Sequence, residues 1–552
     1  MRSSTTDVID TFNLVDEPWI IATDLEGQTR EYSIAELVVS AHRLATIGGD
    51  LPTQQFAITR LLLAIVRRAV DWGDWPIERW EELWATRELP AAELAAYLEK
   101  VRSRFDLLDP LKPFYQVPDF QSSSDAFKPV GLLVSDVPAK FQYFTTRAGS
   151  GAADLSLAEA ARWIVHAQAY DPSGIKTGDK RDPRTKGGKG YPIGIAWVGQ
   201  FGGVLVEGHT LAQTLLLSLA LVIDGEPTMV DNDVPVWERE HLGVLPRVDI
   251  EPHGPLDLLT WQSRRIHVRY EDGRVTGVVI GNGDSFESFN RFATELWSPW
   301  RYSEIQSKKA GELRFYPRTF DPGRAVWRGV ESLLMDVDDY SRGSAAGHAP
   351  GVTKWIDYLV QQSVIDSDEL IVVHVYGLRY DNQASVIGAG VDDALSMRIA
   401  GLTTYELRQR ACDAADTAER VSRALGALAR DLTLASGGDG DGDRQRVIMQ
   451  FMAAVDQPFR RWVVALGGEV DPDELVINWH RQLYGIAREL SDQLVRDAGR
   501  PAFIGRSVKD HKDKSRWIDA PWAESTFRRA LNRELSEAFA STGKGDNDTA
   551  GE

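Results

Sequence analysis

The sequence predicts an α+β protein with a large mixed α/β globular domain over residues 1–400 and a four-helix bundle over residues 401–545. Before residue 400, strand-like apolar runs alternate with amphipathic helical segments and turn signals. After Gly401, apolar residues recur only at helical spacing. Residues 546–552 form an acidic stretch that we expect to be a disordered tail.

The amino-terminal segment predicts a small β element. Residues 12–21 have strand character, and residues 24–27 suit a hairpin turn. Ser33 and Glu36 have the spacing of a helix capping box, and we expect a second helix after Thr53. The domain therefore opens with a β element covered by two helices.

Four apolar stripes define the predicted bundle, because helices with one apolar face bury those faces against one another. The stripes are Leu407, Ala411, Ala414, Ala418, Val421, Leu425 and Leu428; Ile448, Phe451, Met452, Val455, Phe459 and Trp462; Val476, Trp479, Leu483, Ile486 and Leu490; and Phe527, Leu531, Leu535 and Phe539. The Asp439–Asp443 run between the first two lacks the Glu that completes an EF-hand, so we expect a flexible loop there.

Composition limits the class of protein. A length of 552 residues suits two to four domains. The single Cys412 excludes a disulfide framework and a cysteine-cluster zinc site, and no apolar run approaches the length of a membrane span. The amino terminus lacks a secretory pattern. We expect a cytoplasmic protein with no membrane contact, no metal and no cofactor.

The charge balance restricts nucleic-acid binding to local patches, because a formal net charge of -19 repels phosphates on average. One segment, residues 176–189, is basic and interleaved with glycine; its cations are Lys176, Lys180, Arg181, Arg184, Lys186 and Lys189. A flexible basic loop of this kind suits phosphate contact. A solvated surface loop explains the composition equally well. The segment lacks the spacing of a nucleotide-binding P-loop.

A second candidate site is the tripeptide Asn382, Gln383 and Ala384. It follows the apolar run 369–375, which predicts a strand covered on both faces, and Gly377 suits a tight exit from that strand. Exposed amides on such a base could read a base edge or replace a broken base-pair hydrogen bond. The alternative is a turn whose amides bond their own backbone.

Residues for catalysis do not assemble into a recognisable pattern. Asp231, Asp233 and the 336–339 run offer carboxylates, and His374 falls in a strand, but no nucleophile–base spacing or paired-histidine motif accompanies them. We expect a protein that is not an enzyme and in which His374 is structural. The alternative is a stand-alone metal-dependent nucleic-acid hydrolase, which would cleave duplex DNA when given divalent metals.

Several motifs occur in an order that resembles one family. They are Phe12-Asn-Leu-Val-Asp-Glu-Pro-Trp-Ile20, Gly49-Asp-Leu-Pro-Thr53, Phe105-Asp-Leu-Leu-Asp-Pro-Leu-Lys-Pro-Phe-Tyr-Gln-Val117, Leu259-Thr-Trp-Gln262 and Asp381-Asn-Gln-Ala384. Together they resemble the CasA family, the large subunit of the type I-E CRISPR Cascade complex. The resemblance covers most of the chain before residue 400.

The resemblance implies a non-catalytic subunit that checks the protospacer-adjacent motif (PAM) in double-stranded target DNA and starts R-loop formation. Pairing with the CRISPR guide RNA reads the rest of the target. Implied partners are the guide RNA, the other Cascade subunits and a helicase-nuclease recruited afterwards. Members of this family contact the motif duplex from the minor groove through a glutamine wedge, a glycine loop and a lysine finger.

The resemblance also implies which residues of this chain take these parts. Gln383 is the wedge, with Asn382 and Ala384 beside it, and the glycine loop lies within residues 171–178. Pro172 and Ser173 stand there where family members can have more glycine, so Gly174 is the residue best suited to close approach, with Lys176 following.

Two further parts of the family pattern have less defined counterparts here. No motif fixes the lysine finger; Arg291 lies in the right interval, with Lys308 and Lys309 as alternatives. The segment 139–151 resembles the loop that meets guide RNA and a neighbouring subunit, through Phe144 and Thr146. The alternative for this segment is an edge strand with Tyr143 or Phe144 buried.

Overall fold

The computed structural model of the protein describes residues 11–122, 126–135, 153–248, 250–336, 346–509 and 515–539. The chain divides into two compact units. The first comprises Met1–Arg324, Met335–Ile365 and Ile371–Ala394, and the second comprises Ala325–Leu334, Asp366–Leu370 and Leu395–Glu552. The predicted α+β class, with a mixed body and a C-terminal helical bundle, is confirmed. The second unit also includes the short segments Ala325–Leu334 and Asp366–Leu370, which the predicted domain boundary at residue 400 assigned to the first domain.

The strands in chain order are β1 (Ile20–Asp24), β2 (Thr29–Tyr32), β3 (Leu44–Ile47), β4 (Lys128–Pro129), β5 (Lys176–Thr177), β6 (Thr185–Lys186), β7 (Lys189–Gly190), β8 (Gly203–Glu207), β9 (Val222–Ile223), β10 (Glu226–Pro227), β11 (Arg264–Glu271), β12 (Arg274–Asn282), β13 (Trp300–Tyr302), β14 (Phe315–Pro317), β15 (Gly347–His348), β16 (Leu370–Asp381), β17 (Val386–Arg398), β18 (Arg506–Lys509) and β19 (Ser515–Ile518).

The helices are α1 (Ile34–Ser40), α2 (Pro52–Ala69), α3 (Pro76–Thr86), α4 (Ala91–Val101), α5 (Leu157–Tyr170), α6 (Leu211–Leu217), α7 (Pro255–Leu259), α8 (Glu304–Ala310), α9 (Glu331–Leu334), α10 (Gly351–Gln361), α11 (Ile399–Thr403), α12 (Tyr405–Ser436), α13 (Asp441–Ala465), α14 (Pro472–Asp497), α15 (Gly499–Ile504) and α16 (Ala520–Glu534).

Small sheets of two or three strands build the strand content of the first unit, with orders β2-β1-β3, β11-β12-β4, β14-β13-β15, β17-β16-β8, β5-β7-β6 and β10-β9. The predicted turn at residues 24–27 is present and joins β1 to β2, but the strand predicted over residues 12–21 is wrong for most of its length, because β1 begins at Ile20. Ser33 caps α1 by accepting a hydrogen bond from the Glu36 N–H. Because each sheet is small, the helices supply more of the buried apolar residues of this unit than the strands do.

Helices α2 and α5 form the centre of the first unit, and both are buried around most of their circumference. The Thr53 hydroxyl lies 2.9 Å from His166 Nε2 and joins the two helices. Arg60 makes a two-pronged ion pair with Glu295, at 2.8 Å for each nitrogen–oxygen pair. Both side chains are buried, so removing either one would leave its partner as an unpaired buried charge. Helix α5 ends at Tyr170, and Tyr170 and the following Asp171 lie at the candidate site described below.

The second unit contains the bundle of α12, α13, α14 and α16. Its interior is tied by indole hydrogen bonds: Trp479 Nε1 donates to the Ala414 carbonyl at 3.1 Å, and Trp462 Nε1 donates to the Leu475 carbonyl at 2.8 Å. Gly437 and Gly440 have positive φ in the turn between α12 and α13. The expected flexible Asp439–Asp443 loop is wrong for most of its length, because α13 already begins at Asp441.

The predicted stripes are correct for most positions of α12 and α13 and need correction in the other two helices. In α14, Leu475, Ala487 and Ser491 are buried, whereas Val476, Ile486 and Leu490 are only partly covered. The buried face of α14 recurs every four residues, so it admits small and polar residues that an apolar pattern overlooks. Phe539 is 61% exposed because α16 ends at Glu534 and a separate short turn follows.

Candidate nucleic-acid interface

Strand β16 carries the candidate site at its end. It pairs antiparallel with β8 from Val372 opposite Glu207 to Tyr376 opposite Gly203, and β17 lies on its other side. Burial alternates along its first half, so the expectation of a strand covered on both faces is wrong there. The strand also continues through Gly377 to Asp381, so the chain does not leave the sheet at that glycine.

The outer face of β16 explains this alternation. His374 Nδ1 lies 2.9 Å from Glu207 Oε1, and its Nε2 lies 2.7 Å from Asp392 Oδ1. Burial lowers the pKa of His374, but the hydrogen bonds and charges of Glu207 and Asp392 outweigh burial, and the pKa ends above its ordinary value. The side chains of Glu207 and Asp392 are partly exposed, so this face of β16 is partly open to solvent. The histidine therefore bridges three adjacent strands.

The turn after β16 has an unusual backbone. Asn382, Gln383 and Ala384 have φ values of 50°, 58° and 62°, so three successive residues other than glycine adopt the left-handed conformation. Each such residue costs about 1 kcal/mol relative to ordinary geometry, with Asn the most tolerant. Ser385 holds the turn: its N–H donates to the Asp381 carbonyl at 3.1 Å, and its hydroxyl donates to the Asn382 carbonyl at 2.7 Å.

The amide side chains of this turn are available to a ligand. Asn382 and Gln383 are exposed, and neither amide hydrogen-bonds to another group within the part of the chain that the structure describes. The alternative of a turn held by its own amides is therefore not the observed arrangement, because Ser385 performs that role. The turn holds two free amides outward at a cost in backbone energy.

The turn is braced against the segment that follows α5. The Tyr380 hydroxyl donates to the Tyr170 carbonyl at 2.6 Å, and the Ser173 N–H donates to the Ala384 carbonyl at 2.8 Å. The first bond anchors the end of β16 to the last residue of α5, which is 210 residues away in sequence, and the second joins the predicted wedge turn to the predicted glycine loop. The structure thus brings Gln383, Ala384, Ser173 and their neighbours together.

The glycine loop is open at Gly174. This residue has φ of 140°, and a Cβ added to it would meet no atom within 4 Å. Any side chain there would be disfavoured by the backbone and not by crowding. The open space permits another molecule to approach the main chain closely.

The basic segment is ordered, so the expected flexible loop is wrong. Residues 176–190 fold into the sheet β5-β7-β6, with Lys176 opposite Gly190 and Lys186 opposite Lys189. Gly187 and Gly188 have φ of 58° and 73° and form the two-residue turn between β6 and β7. Two successive positive φ values suit such hairpin turns, which accounts for this glycine pair.

Several cations of the basic segment already have carboxylate partners. Arg181 pairs with Asp179 at 2.9 Å and with Asp119 at 2.5 Å, and Arg184 pairs with Asp182 at 2.8 Å. Lys176 pairs with buried Asp171, and burial lowers the pKa of the Lys176 ammonium. These side chains hold the segment together, which sequence composition could not reveal.

The remaining cations face solvent. Lys180, Lys186 and Lys189 are exposed, and no carboxylate pairs with Lys186 or Lys189 among the described residues. Beside the glycine loop lies an open cleft of about 430 Å³, lined in part by Lys128, Ile175 and Lys189. Lys128 is an exposed cation that the sequence analysis missed, because it stands alone outside the basic segment.

Arg291 does not lie among the partners of the turn. Its guanidinium pairs with Glu251 and donates from Nε to the Glu287 carbonyl at 3.1 Å. Lys308 pairs with Glu304 at 2.5 Å along α8, and Lys309 is exposed on the same helix. Phe144 and Thr146 lie outside the described residues, as does the acidic tail 546–552.

Two of the candidate catalytic carboxylates, Asp233 and Asp336, have structural partners. Asp233 accepts hydrogen bonds from the N–H groups of Leu256 and Asp257 at the start of α7, and Asp336 pairs with Lys354 at 2.7 Å. Across the described ranges, His, Cys, Asp and Glu side chains form no group of three that could hold a metal ion. No helix within those ranges combines the length and apolarity needed to cross a membrane.

The fold and these paired loops define a class: an α+β protein with a C-terminal helical bundle that presents a braced amide turn beside a glycine loop. Residues 13–490 match the family CRISPR-associated protein Cse1. The chain belongs to this Cse1 family, which confirms the resemblance inferred from the ordered motifs.

Individual relatives agree with the family match. The crystal structure of Thermobifida fusca Cse1 is 37% identical, with a TM-score of 0.87 over 97% of this chain and 100% of that one. CasA/Cse1 of Thermus thermophilus is 28% identical over 59% of this chain, and the match spans 61% of that relative's length. A chain of a CRISPR RNA-guided surveillance complex shares the fold, at 16% identity and a TM-score of 0.68 over 96% of this chain.

Proposed function

We propose that this protein is the large subunit of a type I-E Cascade complex, where it recognises the protospacer-adjacent motif in duplex DNA and promotes strand opening. The observation that carries this proposal is the exposed, strained turn at Asn382–Ala384, hydrogen-bonded to the glycine loop. Backbone strain held in place by surrounding structure is typical of functional sites. Family membership supports the CRISPR setting.

The chemistry of the turn suits the minor groove. Amides offer both donors and acceptors, and the minor groove presents mainly acceptors with a single guanine amino donor. In our proposal Asn382 reads the motif, Gln383 inserts beside the first target pair, and Gly174 and Ser173 allow the backbone to approach the duplex. Opening a base pair costs a few kcal/mol, so a residue that offsets part of this cost accelerates unwinding.

Cations around the turn would contact phosphates without reading sequence. Lys186 and Lys189 carry this proposal best, because they are exposed and lack carboxylate partners among the described residues. Lys180 joins them as a third exposed cation. Lys176, Arg181 and Arg184 would act mainly by holding the segment in shape. For the lysine finger we retain Arg291, with Lys308 and Lys309 as alternatives.

The remaining partners follow from the proposed assembly. We propose that Phe144 and Thr146 meet guide RNA or a neighbouring subunit, and that the complex recruits a helicase-nuclease after R-loop formation. The protein would act in the cytoplasm as a non-catalytic subunit. The mixed domain would carry the motif-reading residues and the bundle would face other subunits.

The experiment is a motif-library binding assay with the assembled complex. A pool of duplexes with one target and randomised flanking bases should be enriched for a short motif next to the target. Enrichment should weaken in a complex that carries Asn382→Ala. Equal retention of all flanks by the wild-type complex would refute the proposal. Metal-dependent cleavage of DNA by the purified protein would favour the stand-alone hydrolase instead.

A further inference from the structure

We propose that Arg264 is the positioning residue of this site: it fixes the glycine loop and, through that loop, the register of the wedge turn. This inference rests on the proposed function, because it names how the motif-reading loops are held. Arg264 lies at the start of β11 and was not among the residues that sequence patterns indicated.

Three of the five hydrogen bonds that the Arg264 guanidinium donates go to the glycine loop, and its Nη1 donates to the Ser263 carbonyl at 2.9 Å. Its Nε donates to Asp171 Oδ2 at 2.5 Å, and its Nη2 contacts the carbonyls of Asp171 at 3.0 Å and Pro172 at 3.1 Å. The same Nη2 lies 2.9 Å from the Gly194 carbonyl. The side chain is 1% exposed, so these hydrogen bonds form in an environment that makes unpaired groups costly.

This arrangement directs the main-chain carbonyls of the glycine loop toward the interior of the protein. Carbonyls of two successive residues point inward to the arginine, and the Ala196 N–H also donates to the Asp171 carbonyl at 3.0 Å. The main chain beyond them is left to face outward, where Gly174 borders open space. Lys176 adds a second cation to Asp171 and closes the loop from its other end.

The hydrogen bond between the glycine loop and the wedge turn comes one residue after Pro172, the last loop residue whose carbonyl accepts from Arg264. Pro172 is bonded to Arg264, and the next residue, Ser173, donates its N–H to the Ala384 carbonyl at 2.8 Å. A displacement of the Pro172 carbonyl therefore moves the N–H that holds the strained turn. Small displacements of a group that must contact a ligand in a fixed geometry can reduce function strongly.

Lysine cannot replace this arginine. The planar guanidinium reaches Asp171, Pro172 and Gly194 at once through a rigid fork, whereas an ammonium is a point charge with three donors. Arg264→Lys therefore keeps the charge and loses most of the geometry. Asp171→Asn is a second variant that keeps the shape and removes the carboxylate charge.

The chain provides a matched control in the next residue. Arg265 is equally buried, at 1% exposure, and donates to the carbonyls of Gly243, Gln262 and Leu245 and to Asp284. It makes none of the glycine-loop hydrogen bonds. Arg265→Lys therefore removes a comparable buried network elsewhere in the same unit.

The experiment combines two readouts on wild type, Arg264→Lys, Asp171→Asn and Arg265→Lys. The first is amide hydrogen exchange of the protein alone. Exchange in residues 171–177 and 381–386 should accelerate by about tenfold or more in the Arg264 variant, because charge-assisted hydrogen bonds are lost. Arg265→Lys should leave both segments at the wild-type rate.

The second readout is binding by the assembled complex to intact and pre-opened targets. Arg264→Lys should lose about tenfold on intact duplex with the motif and less on a target whose first pairs are mismatched, where only the approach of the glycine loop to the motif is affected. Asp171→Asn should show a smaller loss of the same kind. Combining Arg264→Lys with Gln383→Ala should add little to the larger single effect, because both act through one element.

Each outcome decides between a positioning and a general structural role. Unchanged exchange in the two segments, or equal losses for Arg264→Lys and Arg265→Lys, would overturn the proposal. Failure of both Arg264→Lys and Asp171→Asn to assemble, while Arg265→Lys assembles, would also reject it in favour of a folding role. A wild-type complex without motif preference would refute the proposed function, yet the exchange result would still test the loop contact.

Discussion

Gln383→Ala tests the wedge most directly. The side chain is exposed and makes no hydrogen bond within the described chain, and alanine already adopts the same left-handed conformation at the next position. The substitution should therefore change the free energy of unfolding by no more than about 0.5 kcal/mol. A functional loss could then be assigned to the missing amide and not to a damaged fold.

The expected functional loss follows from the hydrogen bonds that one amide can supply. A net contribution of about 0.5–1.5 kcal/mol for each of two hydrogen bonds to an opened base gives about 1–3 kcal/mol. Since about 1.4 kcal/mol corresponds to tenfold, R-loop formation on intact duplex should slow by roughly tenfold and by no more than about a hundredfold. A pre-opened target should be affected by less than about twofold, because its strand-opening cost is already met.

The assay measures R-loop formation by the assembled complex on two targets that share one motif, one fully paired and one mismatched at its first pairs. Gln383→Gly is the matched variant, because glycine adopts positive φ freely and keeps the turn without the amide. It should reproduce the alanine defect. Asn382→Ala should instead weaken both targets. Equal losses on the two targets for Gln383→Ala would refute the wedge role.

Three further outcomes follow from the structure. The double variant Lys186→Ala and Lys189→Ala should weaken DNA binding similarly for all sequences and reduce the slope of log affinity against log salt concentration by about 1–2. The control Lys100→Ala, at an exposed position on α4, should leave that slope unchanged. Affinity measured across salt concentrations checks both. Because the pKa of His374 is raised in the folded protein, the stability that its protonated form contributes is fully present below the unfolded pKa of about 6.5 and is lost as pH rises through the folded pKa. The free energy of unfolding of the wild type should therefore exceed that of His374→Gln by more at about pH 5.5 than at about pH 9. Arg60→Met should cost about 3–5 kcal/mol in chemical unfolding by leaving Glu295 buried and unpaired, and adding Glu295→Gln should recover part of that loss; a cost below about 1 kcal/mol would contradict the buried pair.

Sequence patterns located the loops of the candidate site but not their support. The Asp381–Ala384 motif marked the turn, and the family resemblance placed the glycine loop within residues 171–178. Two consecutive arginines, Arg264 and Arg265, begin strand β11, and their presence next to apolar strand residues was the available signal for a buried cation that needs fixed partners. The signal does not name those partners, because Asp171 is 93 residues away from Arg264.

The sequence by itself determined the α+β class, the helical bundle, the Ser33 cap of α1 and the family, because these depend on local periodicity, turn residues and the order of motifs. Only the tertiary structure decided which cations are free, since Arg181 and Arg184 are paired while Lys186 and Lys189 are exposed. It also decided that the strained turn rests on Ser173. The physical reason is that ion pairs and main-chain hydrogen bonds between distant segments depend on how the chain folds back, which composition and spacing do not encode.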